Sequence, residues 1–280
     1  MKPSNLLIAA CLALFTLVTS CKKENSTIKD PESEIEATFE LTADNATADF
    51  MTEDDNDLLM EAAEDKSLLG NFAPQIESHN FLACAAVAVT PQSGFPKTIV
   101  IVFDSNCVSP RGIVRKGTIR IVISDSLRRS GSTAVMTFEN YFVNNFKREG
   151  THTWKNTSQE GGKSWQRKVE GGKITAPNGR FWLHASVKDV VQTGGASTRT
   201  LFDDVISVTG NASVTNTRGV SRTATITEAL QKKYTCYNID KGRIKFQGPN
   251  HFAILDYGNG DCDRVATISI DGRPPRAIVL

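Results

Sequence analysis

The spacing of apolar side chains changes once along the chain, from a helical repeat to a two-residue repeat. Between residues 51 and 67 the apolar positions follow a helical repeat, behind a first turn rich in Asp and Glu that suits a helix dipole. From Phe81 onward apolar and polar positions alternate, as on strands with one face in water. The pattern predicts an amphipathic helix at 51–67 and a β domain at 68–280.

Short Gly- and Asn-containing turn signals separate the alternating runs and define about a dozen strands. The clearest of these signals are Ser130-Gly131, Asn178-Gly179, Gly194-Gly195, Arg218-Gly219, Asn259-Gly260 and Asp271-Gly272. No segment between the runs is long enough for the helical crossover that parallel strands need. The predicted fold class is therefore all-β, a long antiparallel meander that forms a large curved sheet or half-open barrel with one short N-terminal helix. A two-sheet sandwich is the alternative.

Alternation also assigns faces, as on the strand predicted around residues 180–188. Phe181, Leu183 and Val187 occupy one set of alternate positions and are predicted to face the core. Trp182 occupies the other set and is predicted to lie on the wetter face.

Aromatic side chains on successive predicted strands form a candidate ligand-binding platform. Its members are Tyr141, Trp154, Arg167 and Trp182. Aromatic rings on a flat sheet can stack on sugar rings or lipid tails. Packing in the core is the simpler interpretation and stays open beside it; for Trp165, in line with Val169, core packing is the prediction.

The first 20 residues have the composition of a secretory signal peptide. They contain one lysine, an apolar run of 13 residues and two small residues directly before Cys21. That apolar run is shorter than the roughly 20 residues that span a bilayer. The order of residues before Cys21 resembles the bacterial lipobox, which implies cleavage at this point and acylation of Cys21. Several acyl chains would make a stable membrane anchor without a spanning helix.

The residues after Cys21 indicate the membrane to which the lipid-anchored protein would be sorted. Positions 22 and 23 are lysines rather than aspartate, the residue that favours inner-membrane retention. We expect a lipid-anchored protein of the outer membrane that faces the periplasm or the cell surface.

Charge is distributed unevenly along the chain. Residues 22–66 hold 15 acidic and 4 basic side chains, a net charge of −11, and residues 67–280 carry a net charge of +11. The segment at 21–50 is predicted to be a lipidated, acidic tether. A basic domain can signal a polyanionic partner, but the favoured interpretation is that the acidic segment lies against the basic sheet of the same molecule. In that case removing residues 22–66 should expose a surface that binds anionic polymers.

Four cysteines remain once Cys11 is removed with the signal peptide and Cys21 is acylated. Cys84 and Cys107 flank a predicted hairpin, and Cys236 and Cys262 flank a short meander. In an oxidising compartment this arrangement predicts the local disulfides Cys84–Cys107 and Cys236–Cys262. No pair has the CxxC spacing that is typical of a zinc site.

Candidate chemistry is sparse. Oxygen donors of the kind that calcium prefers cluster near the C-terminus, although a tight hairpin explains the same residues. They are Asp256, Asn259, Asp261 and Asp263. The sequence contains neither HExxH nor GxSxG, the four histidines are scattered, and no cofactor is predicted.

Several stretches resemble a group of uncharacterised surface lipoproteins of Gram-negative bacteria. They are Phe95–Phe103 with Cys107, Arg115–Ile119, Thr137–Asn144, Asp256–Asp263 and Ala266–Gly272. The resemblance covers most of residues 80–275 and implies an all-β lipoprotein without implying an activity. Asn145-Phe146 departs from the tighter Gly turn expected of the group.

Three functions are compatible with the sequence. A non-catalytic binding or structural module of the cell envelope is the leading hypothesis. A periplasmic carrier of a lipid or other apolar ligand, and a carbohydrate-active enzyme or hydrolase, are the alternatives. The expected partners are the membrane, through Cys21, and a glycan, lipid or anionic polymer; no nucleic acid is expected. A large apolar cavity would favour the carrier, a closed core the module, and a cleft with converging carboxylates or strongly shifted pKa values the enzyme.

Overall fold

The structure, a computed structural model, describes residues 31–66, 68, 82–110, 112–159, 163–198 and 200–280. These residues form one helix and thirteen strands. The elements are α1 (Pro31–Asp65), β1 (Ala85–Thr90), β2 (Lys97–Val108), β3 (Val114–Ile123), β4 (Thr133–Val143), β5 (Phe146–Asn156), β6 (Ser164–Thr175), β7 (Phe181–Gly194), β8 (Val205–Asn216), β9 (Ser221–Lys233), β10 (Lys241–Gln247), β11 (Phe252–Asn259), β12 (Val265–Ile270) and β13 (Arg276–Val279).

All thirteen strands belong to one antiparallel sheet in which spatial order equals chain order. Each strand pairs with its neighbours in sequence, and the two ends of the sheet, β1 and β13, do not pair with each other. The predicted antiparallel meander is confirmed: it is a single curved sheet that does not close into a barrel.

Irregular pairings curve the sheet. The register shifts in nine successive strand pairs, from β2/β3 to β10/β11. Each β-bulge bends its strand and increases the local twist. At the β3/β4 bulge Gly117 has φ +98°, and a Cβ there would lie 2.1 Å from the carbonyl oxygen of Asn140. Only glycine allows this approach of the two backbones.

The β4–β5 hairpin turns at two asparagines instead of a glycine. Asn144 and Asn145 have φ +48° and +67°, the left-handed values of a type I′ turn. Asparagine tolerates left-handed φ values better than most residues. The hairpin is therefore tight even though Asn145-Phe146 stands where the resemblance implied a Gly turn.

Helix α1 is longer than predicted, because it begins at Pro31 and not at position 51. Proline suits the first helical position, and Glu32 and Glu34 in the first turn complement the helix dipole. The threonines are accommodated because their hydroxyls donate to carbonyls one turn earlier, as Thr38 and Thr52 do at 2.7 Å. Residues 31–50 are therefore helical, and the prediction of a tether over that range was wrong.

The sheet wraps around α1. Successive helical residues point about 100° apart. The carboxylates of Glu53, Asp54 and Asp55 nevertheless all pair with strand residues, on β6, β3 and β5 respectively. All three are buried. A helix that is buried on several faces needs no single apolar stripe. Residues 31–50 therefore lack the helical repeat of apolar positions from which the first half of α1 could have been predicted.

The face assignment on β7 was wrong. Trp182 is 1% exposed and Lys188 is 3% exposed, whereas Leu183 and Val187 are 45% and 43% exposed. The inward positions hold polar residues because α1 supplies partners for them. The Lys188 ammonium, for example, pairs with the buried carboxylate of Asp49.

Both predicted disulfides are present. The Cα atoms of Cys84 and Cys107 are 5.3 Å apart, and those of Cys236 and Cys262 are 5.1 Å apart. The first joins the segment before β1 to β2, and the second joins the loops that follow β9 and β11.

Candidate functional site

A layer of ion pairs joins α1 to the inner face of the sheet. Over 31–65 the helix carries 13 acidic side chains and no Lys or Arg. The buried pairs are Arg115–Asp54, Arg148–Asp55, Arg167–Glu53, Lys188–Asp49, Lys232–Asp57 and Arg222–Glu34. The opposite charges of the two parts of the chain thus neutralise each other inside the molecule, as the favoured interpretation expected.

Arg148 contacts four side chains, those of Asp55, Thr52, His152 and His184. Its side chain is fully buried, and its Nε donates to Asp55 Oδ2 at 2.7 Å. One terminal nitrogen donates to Thr52 Oγ1 at 3.0 Å and contacts His152 Nε2 at 2.6 Å. The other terminal nitrogen contacts His184 Nε2 at 3.3 Å. Arg148 therefore fixes helix and sheet to each other at one point.

The two histidines beside Arg148 are held neutral. Burial, together with the positive charge of Arg148, lowers the pKa of both His152 and His184 well below the ordinary value. Because a guanidinium only donates, each Nε2 that faces it acts as an acceptor. The proton of His152 then resides on Nδ1, which lies 3.7 Å from Asp55 Oδ2.

The carboxylates of the layer respond differently to their surroundings. Burial raises the pKa of Asp55 to about 7 and that of Asp57 to about 6, in spite of the cations beside them. Burial would also raise the pKa of Glu53, but the charges of Arg167, Lys188 and Lys232 outweigh it and lower that pKa.

These shifts act on stability in opposite directions. The unfolded chain protonates its histidines below about pH 6.5 and the folded chain does not, so His152 and His184 lower the free energy of unfolding in acid. Asp55 and Asp57 bind protons in the folded state between about pH 4 and pH 7 while the unfolded chain does not. Their contribution is present in acid and is lost as the pH rises through the folded pKa values.

We predict that His184→Gln will lose less stability on acidification than the wild type. The difference should reach up to about 1.4 kcal/mol per pH unit below pH 6.5, because one titrating group is removed. Asp55→Asn should have the opposite sign and increase the acid loss. Denaturant unfolding at pH 7.5 and pH 5.5 measures both slopes, and slopes identical to wild type in both variants would contradict the assignment.

A small cavity with both polar and apolar walls lies between α1 and strands β5–β9. Its volume is about 50 Å³, which is room for about four water molecules, and it is partly open to solvent. One wall is formed by Trp154 and Trp165, whose rings lie 5.4 Å apart at 31°. Arg167 and Lys232 also line it and are paired with the helix carboxylates Glu53 and Asp57 respectively.

Three side chains of this cavity have buried N–H donors without a hydrogen-bond partner. They are Asn56 Nδ2, Trp165 Nε1 and Arg167 Nε. Burying such a donor away from water without a hydrogen-bond partner costs about 1–3 kcal/mol of folding free energy. These three nitrogens lie within the packing around the cavity and do not open into it.

Asp204 is the cavity residue with the most perturbed acidity outside the ion-pair layer. Burial raises its pKa to about 7, against the lowering effect of Lys163 and Arg128. Its Oδ1 accepts a hydrogen bond from Gln192 Nε2 at 2.6 Å. Near neutral pH this carboxyl group can act as either an acceptor or a donor.

The predicted aromatic platform divides into separate places. Trp154 and Arg167 meet at the cavity, together with Trp165, which the alternation had assigned to the core. Tyr141 is fully buried between Phe103 and Phe138. Trp182 is buried beside Phe146 and Arg180. These two belong to the core, as the simpler interpretation held.

All four predicted calcium ligands line one open depression of about 400 Å³ beside β10–β12, and two of them serve local structure. Asp256 pairs with Arg243 at 2.7 Å, and Asp263 Oδ1 accepts from the backbone N–H of Val265 at 3.0 Å. Across the described ranges the metal-ligand atoms that converge belong to Cys236, Asp240 and Cys262, and both cysteines are in a disulfide. Asp256, Asp261 and Asp263 do not form such a group, and Asn259 pairs in register with Lys241 at the start of β10.

The sequence contained a signal for the ion-pair layer that was not used. Arg148 and His152 precede Trp154 on β5, and Lys188 precedes Val190 on β7, at the same alternate positions as core residues. Cations at inward positions, together with an acidic segment elsewhere in the chain, indicate a buried charged interface. The two histidines that are scattered in sequence meet at Arg148 for this reason.

No protein-family model, no curated protein and no solved structure matches this chain. In the part of the chain that the structure describes, no helix is both long and apolar enough to cross a membrane. Cys21, His79 and the predicted signal peptide lie outside the described residues.

Proposed function

We propose that the protein is a lipid-anchored, non-catalytic binding module of the bacterial outer membrane. The anchor is supported by the apolar run and small residues that end at Cys21. The module is supported by one observation above all, namely that α1 occupies the interior of the curved sheet.

A lipid carrier fits this interior less well. Sites for drug-sized ligands have volumes of about 300–1,000 Å³ and mostly apolar walls. The cavity beside Trp154 measures about 50 Å³, and charged side chains such as Arg167, Lys232 and Asp204 contribute to its walls. An acyl chain would have to displace the helix and its ion pairs.

An enzyme is also a weaker match. The shifted pKa values of Asp55 and His152 belong to groups packed around Arg148, and the space beside His152 measures only about 10 Å³. Substrate has no room there. The shifts of Asp55 and His152 therefore reflect a buried structural network, the usual alternative to a catalytic site.

Replacing Cys21 tests the anchor. Cys21→Ser should move the protein from the detergent phase to the aqueous phase in phase partition of whole cells, because the acyl chains hold it at the membrane. Cys11→Ser is the matched control, since that cysteine lies within the predicted signal peptide, and it should partition like wild type. Retention of Cys21→Ser in the detergent phase would refute the anchor.

A further inference from the structure

The two edges of the open sheet differ in how well they are protected from other chains. An edge strand presents unpaired N–H and C=O groups, and charged side chains or prolines normally keep other strands away from it. β13 has both, since Pro274 and Pro275 lead into it and it begins at the exposed Arg276. β1 has neither, because no charged side chain occurs between residues 82 and 96 and no proline lies within the strand.

The backbone polar groups of β1 alternate between its partner β2 and the open edge. Ala85 N–H donates to the carbonyl oxygen of Leu82 at 2.9 Å, and the carbonyl oxygen of Val89 accepts from Gln92 Nε2 at 3.1 Å. The odd-numbered residues of β1 therefore face away from β2. The open edge presents the C=O of Ala85, both groups of Val87 and the N–H of Val89. No hydrogen bond within the described part of the chain satisfies these four groups.

These four groups are complementary to themselves under a two-fold rotation. In an antiparallel pair, residues that face each other exchange both of their N–H···O=C hydrogen bonds. With Val87 opposite Val87 of a second copy, two bonds form between these residues, and each Val89 N–H donates to the carbonyl oxygen of Ala85 in the other copy. The remaining groups at these positions, Ala85 N–H and Val89 C=O, face each other but are already bonded within each copy. No free group of the edge is left without a partner.

The side chains of β1 suit the same pairing on both faces of the strand. On the outer face Ala88 would lie opposite Ala86 of the second copy, and such small side chains allow close approach. The neighbouring Val102, which pairs in register with Ala86, is 39% exposed and extends this apolar surface. On the inner face Val87 and Val89 are only partly buried, so a second copy would cover their remaining surface.

β1 is held in place at both ends. The disulfide Cys84–Cys107 joins the segment before β1 to β2. Beyond the other end of the strand, Lys97 Nζ donates to the carbonyl oxygens of Pro91 and Gln92 at 2.7 and 2.9 Å. A strand that is fixed in this way loses little conformational freedom when it pairs, which favours association.

We infer that the protein forms a symmetric dimer in which the β1 strands of two copies pair antiparallel about Val87. The two sheets then continue into each other, and the same surface serves both copies. The inference goes beyond the proposed function, because it names a second copy of this chain as a partner, and it does not depend on the anchor. The contact is narrow, so the dissociation constant should be on the order of 10 µM.

Sedimentation velocity of the full chain over a concentration series measures the dimer, in detergent that shields the apolar run of residues 6–18. Ala86→Lys/Ala88→Lys places like charges opposite each other across the pair and should weaken the dimer about tenfold. Both side chains are exposed, so the variant should keep the melting temperature of the wild type. Thr223→Lys/Thr225→Lys is the matched control. It adds the same charges at the same spacing on the exposed face of β9, a strand inside the sheet, and should dimerise like wild type.

A charge exchange tests the register of the pair. Ala86→Glu/Ala88→Glu should also dimerise about tenfold more weakly than wild type when it is alone. An equimolar mixture of the glutamate and lysine variants should recover the dimer, because each new ammonium group then lies opposite a new carboxylate. A merely general effect of altering β1 would not be reversed by mixing.

Three results overturn the proposal: a chain that stays monomeric up to about 100 µM, ten times the expected constant; equal dimerisation of Ala86→Lys/Ala88→Lys and the β9 control; or a mixture that is no more dimeric than its two components. None of these bears on the membrane anchor, which the partition of Cys21→Ser tests separately.

Discussion

Deleting residues 31–65 should leave the remaining chain without a cooperative fold. The deletion would remove the core residues of α1, such as Leu41, Leu58 and Leu59, from the inside of the sheet. It would also strip buried cations such as Arg115 and Arg148 of their counter-ions. An uncompensated buried charge costs about 3–5 kcal/mol, and a domain has only about 5–15 kcal/mol in total. Circular dichroism and thermal unfolding of the truncated chain measure the outcome.

The matched control is deletion of residues 22–30, which lie before α1 and should leave the melting transition in place. The sequence-based expectation was different, namely that removal of 22–66 would expose a basic surface that binds anionic polymers. The structure changes this expectation, because cations such as Arg115 and Arg148 lie on the inner face of the sheet and not on its outer face. A truncated chain that still melts cooperatively would show that α1 is an accessory and not part of the core.

Arg148→Met should destabilise the protein by about 3–5 kcal/mol. The substitution leaves the buried Asp55 carboxylate without its partner and removes the hydrogen bonds to Thr52 and His152. Because burial already raises the pKa of Asp55 to about 7, the orphaned carboxyl group will take up a proton more readily than an ordinary aspartate. The loss should therefore be greater at pH 8 than at pH 6, and denaturant unfolding at the two values measures it.

Two further variants separate the buried pair from a general effect of losing an arginine. Arg129 pairs with Asp125 at 2.7 Å on the surface, where its side chain is 70% exposed, and Arg129→Met should cost less than about 1 kcal/mol. The double variant Asp55→Leu/Arg148→Met removes both charges and should recover much of the stability lost in the single variant. Equal losses in Arg148→Met and Arg129→Met would mean that the interior of the sheet is not closed around α1.

The sheet was predictable because its determinants are local. Alternation on runs such as Ile119, Ile121 and Ile123 and the turn dipeptides define strands and hairpins without knowledge of the rest of the chain. All three of these isoleucines are fully buried. The disulfides were predictable for the same reason, since each joins neighbouring parts of the meander.

The first half of α1 was not predictable from periodicity. The apolar stripe of a helix reports a single buried face, but most of α1 is buried, by contacts with strands from β3 to β12. Its polar residues are buried against partners distant in sequence, as Thr38 is against Arg222. The same non-local pairing inverted the face assignment on β7, where Lys188 points inward to Asp49 and Leu183 points outward.

The candidate cavity was predictable only in part. Trp154 and Arg167 were recognised as candidate binding residues, but Asn56 and Asp204 carry no motif that would link them to these strands. They come together because α1 lies inside the sheet and because the loop before β8 folds over the same end of the interior.

Hydrogen–deuterium exchange of the full chain tests the enclosure of α1 most directly. If the sheet encloses the helix, the backbone amides of residues 41–63 should exchange as slowly as those of β3 and β5. All of these amides would then become exposed to solvent only through global unfolding. Exchange should accelerate together in the three segments of Arg148→Met. Rapid exchange of residues 41–63 while β3 and β5 stay protected would contradict the account, since it would show that the helix leaves the sheet without unfolding it.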